Sequence, residues 1–221
     1  MSSSSKPLKV VKASVRLIVI SPEAEDAREP AVLTELFSAG LTHYHLRKPA
    51  WSRAQIAVLL QSLPEALHAR IVLHTHHDLA AEFTLGGIHD RDQQSRPECP
   101  QMGDTLRSSV RLRSRAVHTF SALRNSLGDY DRLLVSPVFN SISKPGYGAS
   151  ADFVFADLKA LLSLPRRAEV VALGGIDADR ISACREYGFD GVAVLGAVWQ
   201  AADPVRAFNQ LNQACRYAHA A

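Results

Sequence analysis

Residues 169–199, EVVALGGIDADRISACREYGFDGVAVLGAVW, decide the fold of this 221-residue chain. Two apolar runs, at 169–176 and 190–199, flank a stretch with helical spacing at 177–187. The apolar residues within each run are continuous rather than alternating, which is typical of strands that are covered on both faces. The stretch therefore predicts two parallel strands joined by a helix.

The same alternation of strand and helix recurs along most of the chain. Strands are predicted at 15–21, 43–48, 70–76, 86–90, 115–120, 131–137, 169–176 and 190–199, and helices at 32–39, 52–63, 78–83, 121–127, 152–162, 177–187 and 204–217. Eight such units predict an α/β fold that closes into a (β/α)8 TIM barrel. An open, doubly wound sheet is the alternative, because the fourth unit is weak.

One TIM-barrel domain is expected to span residues 1–221. The serine-rich residues 1–14 predict a loose N-terminal tail, and the polar residues 91–113 predict a long loop after the fourth strand. Long loops in compact domains are either solvated excursions or lids. The sequence leaves open whether 91–113 closes over the active site.

Composition limits the classes of partner. There are 25 Lys and Arg against 22 Asp and Glu, so the net charge of +3 favours neither nucleic acid nor a membrane. The arginines at 111, 113 and 115 lack interleaved aromatic residues, which argues further against nucleic acid. The expected partner is a small phosphorylated substrate, and a homo-oligomer is left open.

The cysteines and the N-terminal sequence indicate a compartment. Cys99, Cys184 and Cys215 lie far apart, so neither a disulfide framework nor a zinc module is indicated. MSSSSKPLKV has no apolar core of the kind found in signal peptides, and no run of about 18 apolar residues follows. A cytoplasmic location is expected.

Active sites of TIM barrels lie at the C-terminal ends of the strands. The polar and glycine residues at these predicted ends are the candidates for substrate binding: Arg47, Lys48, His74, His89, Gly174, Gly175 and Gly196. The last three follow strands seven and eight, where many barrels bind phosphate through backbone amides. The alternative role for each glycine is simply to permit a tight turn.

The segment VSPVFNSISKPGYGAS, residues 135–150, follows the sixth strand. Ser141 and Ser143 offer hydroxyl donors and Lys144 offers a positive charge, so the segment suits an anionic ligand. A flexible loop without function has a similar composition.

Histidines at the strand ends suggest two kinds of chemistry. His118 ends the fifth strand, and histidine side chains in general can give and take a proton near neutral pH, which favours a role as acid and base. HTHHD at 74–78 also resembles the metal pair of barrel metallohydrolases, through His74 and His76. Those enzymes place the histidine pair on the first strand and add a carboxylate from a strand end late in the barrel. Asp177 is the only candidate for this carboxylate here.

Five segments resemble the thiamine phosphate synthase family and its relatives, the thiazole tautomerases: HLRK, AVHT, SPVFNSISK, ALGGI and GVAVLGAVW. The resemblance runs from about residue 15 to 199. It implies a barrel that binds a thiazole phosphate, with Arg47, Ser141, Ser143 and Lys144 facing phosphate or pyrophosphate and Gly174, Gly175 and Gly196 holding phosphate by their backbone. In the synthase, Mg²⁺ carries the pyrophosphate that leaves an aminopyrimidine.

The chain departs from the synthase pattern at the magnesium ligands. The family has an asparagine and an aspartate after the third strand, where this chain has His74 and Thr75. Asp90 and Asp92 after the fourth strand are the remaining candidates for metal ligands. The lysine expected after Arg47 is replaced by Pro49, and Lys48 stands one position early.

These departures favour a tautomerase, which needs no cofactor and moves one proton on a thiazole phosphate. The resemblance nominates His118 as the acid and base, and Lys144 as the second catalytic residue. A Mg²⁺-dependent thiamine phosphate synthase is the alternative. A protein that binds the phosphorylated ligand for regulation, without catalysis, is the alternative from another class.

Overall fold

The computed structural model describes residues 14–90, 110–140 and 153–217. Within these ranges eight parallel strands close into a barrel in the order β1 to β8, which confirms the predicted TIM barrel. The strands are β1 (Arg16–Ile20), β2 (His43–Leu46), β3 (Ile71–Leu73), β4 (Gly87–Asp90), β5 (Leu112–Val117), β6 (Arg132–Val135), β7 (Glu169–Leu173) and β8 (Gly191–Val194).

Helices cover the outside of the barrel. They are α1 (Glu29–Ser38), α2 (Arg53–Gln61), α3 (Glu65–His68), α4 (Leu79–Glu82), α5 (Phe120–Ser126), α6 (Phe155–Ser163), α7 (Ile181–Glu186), α8 (Gly196–Trp199) and α9 (Pro204–Tyr217), with a 3₁₀ turn at Ala178–Arg180. Local capping fixes two of the starts. Ser52 and Gln55 form a capping box at α2, and the Thr119 hydroxyl accepts from the Ala122 amide at α5. In the described part of the chain, none of the helices is long and apolar enough to cross a membrane.

Two apolar cores hold the barrel together. The larger core fills the space between the strands and the helices, and a smaller one, formed by Ile18, Ile20, Leu134, Val171 and Ala193, lies inside the barrel. Residues paired laterally in a parallel sheet share one face, so the register extends this inner face to the other strands. Ile18 pairs with His43 and Ile20 pairs with His45, which places both histidines inside the barrel.

Towards the C-terminal ends of the strands the barrel interior is therefore apolar on one side and polar on the other, whereas Arg132 and Glu169 share the inner face at the N-terminal ends of β6 and β7. Strands β6, β7, β8 and β1 contribute aliphatic side chains to the inner core. The strands β2 to β5 contribute His45, His89 and Ser114, all of them buried. This polar half of the interior leads to the C-terminal strand ends, where the candidate residues lie.

The fifth strand differs most from its prediction. It begins at Leu112, so the end of the predicted 91–113 loop belongs to the barrel. Arg113 and Arg115 alternate with Ser114, which faces inwards, and so project to the outer face. There the Arg113 guanidinium donates to the Asp90 carboxylate at 2.6 Å and to the Tyr130 hydroxyl at 3.2 Å. A strand can carry these arginines because the outer face offers acceptors: Asp90 and Tyr130 for Arg113, and the Ser126 hydroxyl at 3.2 Å for Arg115. Residues 91–109 of the predicted loop lie outside the described residues.

Smaller differences lie at helix ends. The first helix begins at Glu29 rather than at residue 32, and the predicted helix at 177–187 is a 3₁₀ turn followed by α7. The eighth strand ends at Val194, after which α8 takes up the rest of the predicted strand. The side chain of Trp199 in α8 donates to the Ile20 carbonyl at 2.9 Å and ties this helix to β1.

Candidate active site

The closed parallel barrel brings the C-terminal ends of all eight strands to one rim. Most of the predicted site residues lie at this rim or just below it. Arg47, His74, His118, Gly174 and Gly196 each follow a strand by one or two residues, and His89 is the third residue of β4. The predicted substrate and catalytic roles of these residues remain predictions.

His118 is oriented by a backbone carbonyl. Its Nδ1 lies 2.8 Å from the Ser136 oxygen at the end of β6 and 3.4 Å from the Ser136 hydroxyl. Because a carbonyl can only accept, Nδ1 carries the hydrogen and the lone pair belongs to Nε2. This is the tautomer that a general base needs at Nε2.

The loops after β6 and β7 are joined by their backbones. The Val138 amide donates to the Leu173 carbonyl at 3.0 Å, and the Phe139 amide donates to the Gly174 carbonyl at 3.1 Å. Gly174 and Gly175 have φ values of 96° and 66°. A Cβ at Gly175 would lie 2.2 Å from the Asn140 oxygen, so only glycine allows this approach. The glycines thus hold the two loops together, whether or not they also bind phosphate.

Arg180 is a cation at these loops that the sequence analysis did not select. Its guanidinium donates to the Gly175 carbonyl at 2.5 Å and lies over the Phe139 ring, 5.5 Å from the ring centroid. The sequence feature that could have indicated this cation is an arginine five residues after the glycine pair. The cation stands in the first turn after β7, where an anionic ligand is expected.

Arg47 lies at the rim after β2. Its guanidinium forms an ion pair with Glu23 at 2.5 Å, and its backbone is held on both sides by the Ser21 hydroxyl. Both charged side chains are about 40% exposed, at 38% and 40%. The position suits a contact with a charged substrate.

Lys48 does not join the rim. Its side chain is fully buried, where Nζ forms an ion pair with Glu29 at 2.6 Å and donates to the Ala24 carbonyl at 2.8 Å. The Tyr44 hydroxyl donates to the same carboxylate at 2.7 Å. This position does not support the prediction that Lys48 binds phosphate. Arg47 and Lys48 are neighbours whose side chains point in different directions, and that of Lys48 points towards α1.

Three imidazoles meet inside the polar half of the barrel. We call His45, His74 and His89 the histidine cluster. His45 Nδ1 lies 3.0 Å from His74 Nε2, and the rings of His74 and His89 stack with centroids 4.0 Å apart. All three are nearly inaccessible to solvent, with exposed fractions of 0%, 8% and 3%. His74 and His89 were predicted as site residues from the sequence, whereas His45 was not. Its signal was the alternation of His43 and His45 along one face of β2.

The electrostatics of the cluster favour neutral rings. Burial, together with the charges of His89 and Arg132, lowers the pKa of His45 well below its usual value. Burial and the neighbouring His89 and His45 do the same to the pKa of His74. Burial lowers the pKa of His89 to about 3. All three imidazoles are therefore uncharged at neutral pH.

His76 does not share a site with His74, contrary to the metallohydrolase alternative. The strand ends at Leu73, and His76 has a positive φ of 51°. Its Nε2 donates to the Trp51 carbonyl at 3.0 Å, outside the cluster. The ring partners of His74 are His45 and His89 instead.

The described residues do not fit the magnesium site that the resemblance implies. Thr75 stands where a carboxylate is expected, and its buried Oγ1 has no hydrogen-bond partner. Asp90 points to the outer face of the barrel, where its carboxylate accepts from Arg113 and from the Tyr130 hydroxyl. Asp90 is thus wrongly placed for a metal at the rim. Asp92 lies outside the described residues, as do Ser141, Ser143 and Lys144.

Comparison with known proteins identifies the family. The model of the family described as thiamine monophosphate synthase matches residues 17–198. The chain belongs to this family. A thiamine-phosphate synthase of Listeria welshimeri is 27% identical over 183 residues, covering 79% of this chain and 86% of the relative. One of Geobacillus thermodenitrificans is 26% identical and covers 89% and 90%.

Solved structures of thiamine phosphate pyrophosphorylases share the fold. The crystal structure of a thiamine phosphate pyrophosphorylase from Bacteroides thetaiotaomicron is 27% identical, with a TM-score of 0.72 over 90% of this chain and 97% of that one. The thiamine phosphate pyrophosphorylase from Pyrococcus furiosus has a TM-score of 0.72 at 19% identity, covering 92% of this chain and 96% of that one. At that identity the likeness concerns the fold alone.

Proposed function

We propose that this chain is a transferase of thiamine biosynthesis that joins an aminopyrimidine diphosphate to a thiazole phosphate at the barrel rim. The observation that carries the proposal is the family match over residues 17–198, with curated relatives named thiamine-phosphate synthase. These relatives favour the transferase over the tautomerase that the sequence analysis placed first.

The transfer needs positive charge around a leaving group. The bond between the pyrimidine methylene carbon and the diphosphate oxygen breaks, and the oxygen leaves with the electron pair. The thiazole nitrogen then forms a new bond to that carbon. Arg47 at the end of β2 supplies a guanidinium for the departing diphosphate. Arg180 and the turn at Gly174 and Gly175 supply donors for the thiazole phosphate after β7.

A second candidate is the tautomerase, which one observation favours. Carboxylates that bind magnesium are expected at the ends of β3 and β4, but no described carboxylate there points to the interior. His118, in contrast, has the tautomer that a base requires. Proton transfer between ring positions needs a base and a phosphate anchor but no divalent ion. Such acid–base catalysis contributes about 10²- to 10⁴-fold in rate.

Parallel assays on the purified chain separate the candidates. In the first, thiazole phosphate and aminopyrimidine diphosphate are mixed with and without Mg²⁺, and thiamine phosphate is measured by chromatography. In the second, thiazole phosphate is incubated in D₂O and ring deuteration is followed by NMR. We expect thiamine phosphate in the first assay. Deuteration without thiamine phosphate would replace the transferase by the tautomerase, and binding without either reaction would indicate a regulator.

A further inference from the structure

Neither reaction proposed above assigns a chemical step to the histidine cluster, and the geometry of the cluster has a separate consequence. We propose that His45, His74 and His89 together bind one divalent transition-metal ion of the zinc class inside the barrel. The inference does not depend on which of the two reactions the chain performs.

The spacing of the imidazoles suits a single ion. One ring nitrogen from each residue lies within 4.8 Å of the others. In a tetrahedral zinc site with Zn–N bonds of about 2.0–2.1 Å, two ligand nitrogens are about 3.4 Å apart. The distance between His45 Nδ1 and His74 Nε2, now 3.0 Å, must therefore increase slightly. The largest distance between ligand nitrogens, at most 4.8 Å, must shorten by about 1.4 Å, which small side-chain rotations can provide.

A hydrogen bond already determines which ring nitrogen of His89 carries the lone pair that could bind a metal. The Ser114 hydroxyl donates to the Ile88 carbonyl at 3.2 Å, so it accepts from His89 Nδ1 at 2.8 Å. This bond places the hydrogen of His89 on Nδ1 and the lone pair on Nε2. A hydroxyl or carboxylate that accepts from the outer nitrogen is the usual support of a metal-binding histidine.

His45 provides an independent sign of a missing ligand. Its ring is fully buried, and Nε2 has no hydrogen-bond partner among the described residues. Leaving such a nitrogen unsatisfied in the interior destabilises the fold. A cation bound at the cluster would remove this cost, either by direct coordination or by releasing the His45–His74 hydrogen bond so that the rings can turn.

The charged residues near the histidine cluster are compatible with a bound dication. The two arginines that act electrostatically on the cluster are each held by a carboxylate. Arg47 is paired with Glu23, and Arg132 is paired with Glu169 at 2.8 Å. The rings are neutral at pH 7, so a metal does not have to displace protons.

The donor set determines which metal binds. Imidazole nitrogen suits Zn²⁺, Co²⁺, Ni²⁺ and Cu²⁺, whereas Mg²⁺ requires oxygen ligands. Three protein ligands leave one tetrahedral position open, as in catalytic zinc sites. The cluster is thus chemically distinct from the magnesium site implied by the family, and it uses side chains of β2, the β3 end and β4.

Cobalt titration of the full, untagged chain tests the site. After stripping with EDTA, we expect the wild-type protein to bind one Co²⁺ with the visible absorption bands of tetrahedral cobalt. One equivalent of Zn²⁺ should abolish these bands. Zinc at 100-fold above its Kd should also raise Tm by about 5–10 °C, whereas Mg²⁺ should not change it. A wild-type protein with neither cobalt bands nor a zinc-dependent Tm overturns the proposal.

Paired variants locate the ion. His45→Gln and His89→Gln should each abolish the cobalt bands. The control is His43→Gln, which removes an imidazole from the same strand but outside the cluster and should keep them. Circular dichroism confirms that each variant is folded. If a folded His45→Gln protein kept the wild-type bands, the ion would lie elsewhere and the assignment would be wrong.

Discussion

Replacing His118 by asparagine is expected to slow proton exchange at the thiazole ring by about 10²- to 10⁴-fold. The amide nitrogen of asparagine takes the place of Nδ1 and can still donate to the Ser136 carbonyl, which accepts at 2.8 Å in the wild type. The substitution therefore deletes the Nε2 base while it keeps the bond that orients the side chain. Deuterium exchange measured by NMR gives the rate, and calorimetry gives the affinity for thiazole phosphate.

The same variant tells the two proposed reactions apart. Bond formation by the thiazole nitrogen requires no base at the ring, so thiamine phosphate formation should fall much less than proton exchange. Ser136→Ala is the matched control, because it removes a hydroxyl 3.4 Å from the ring and keeps the carbonyl. Unchanged exchange in a folded His118→Asn protein would remove His118 from the catalytic residues.

Metal-free protein is expected to lose stability steeply as the pH falls from 6.5 to 5. The folded protein holds His43 and the three cluster histidines with pKa values below the usual value of 6.5, and the values for His43 and His89 are about 3. Below pH 6.5 the unfolded chain therefore binds protons that the folded chain does not. The stability from these neutral histidines is fully present above pH 6.5 and declines as the pH falls.

The slope follows from proton linkage. Each histidine that stays neutral in the fold lowers the free energy of unfolding by about 1.4 kcal/mol per pH unit once the unfolded form is protonated, so His43 and the three cluster histidines together give about 5–6 kcal/mol per unit. Urea unfolding in EDTA at pH 7, 6 and 5 measures this. His89→Gln should reduce the slope by about one quarter. A wild-type protein equally stable at pH 7 and pH 5 would contradict the buried, neutral cluster.

The sequence predicted the barrel and its rim because both depend on local patterns. Continuous apolar runs such as LIVI in β1 mark strands covered on both faces, and the chain order then brings the strand ends together. The family resemblance at the strand ends is confirmed by the match over residues 17–198. Predicting these features does not require knowing which strands lie opposite each other in the barrel.

The direction of individual side chains was harder to predict. Adjacent residues on a strand point to opposite faces, so His89 faces the interior while Asp90 faces Arg113 outside. Lys48 follows Arg47 directly, but Glu29 of α1 holds it in the core. The histidine cluster depends on the lateral register of β2, β3 and β4, which no local pattern reveals. The predicted roles of Ser141, Ser143 and Lys144 stay predictions.

Both proposed reactions require the barrel rim to recognise a thiazole through its phosphate. Isothermal titration of the full chain with thiazole phosphate, and separately with the dephosphorylated thiazole alcohol, tests it most directly. We expect one site per chain and at least tenfold tighter binding of the phosphorylated compound, about 1.4 kcal/mol. Equal affinity for the two compounds, or no heat from either, would contradict it.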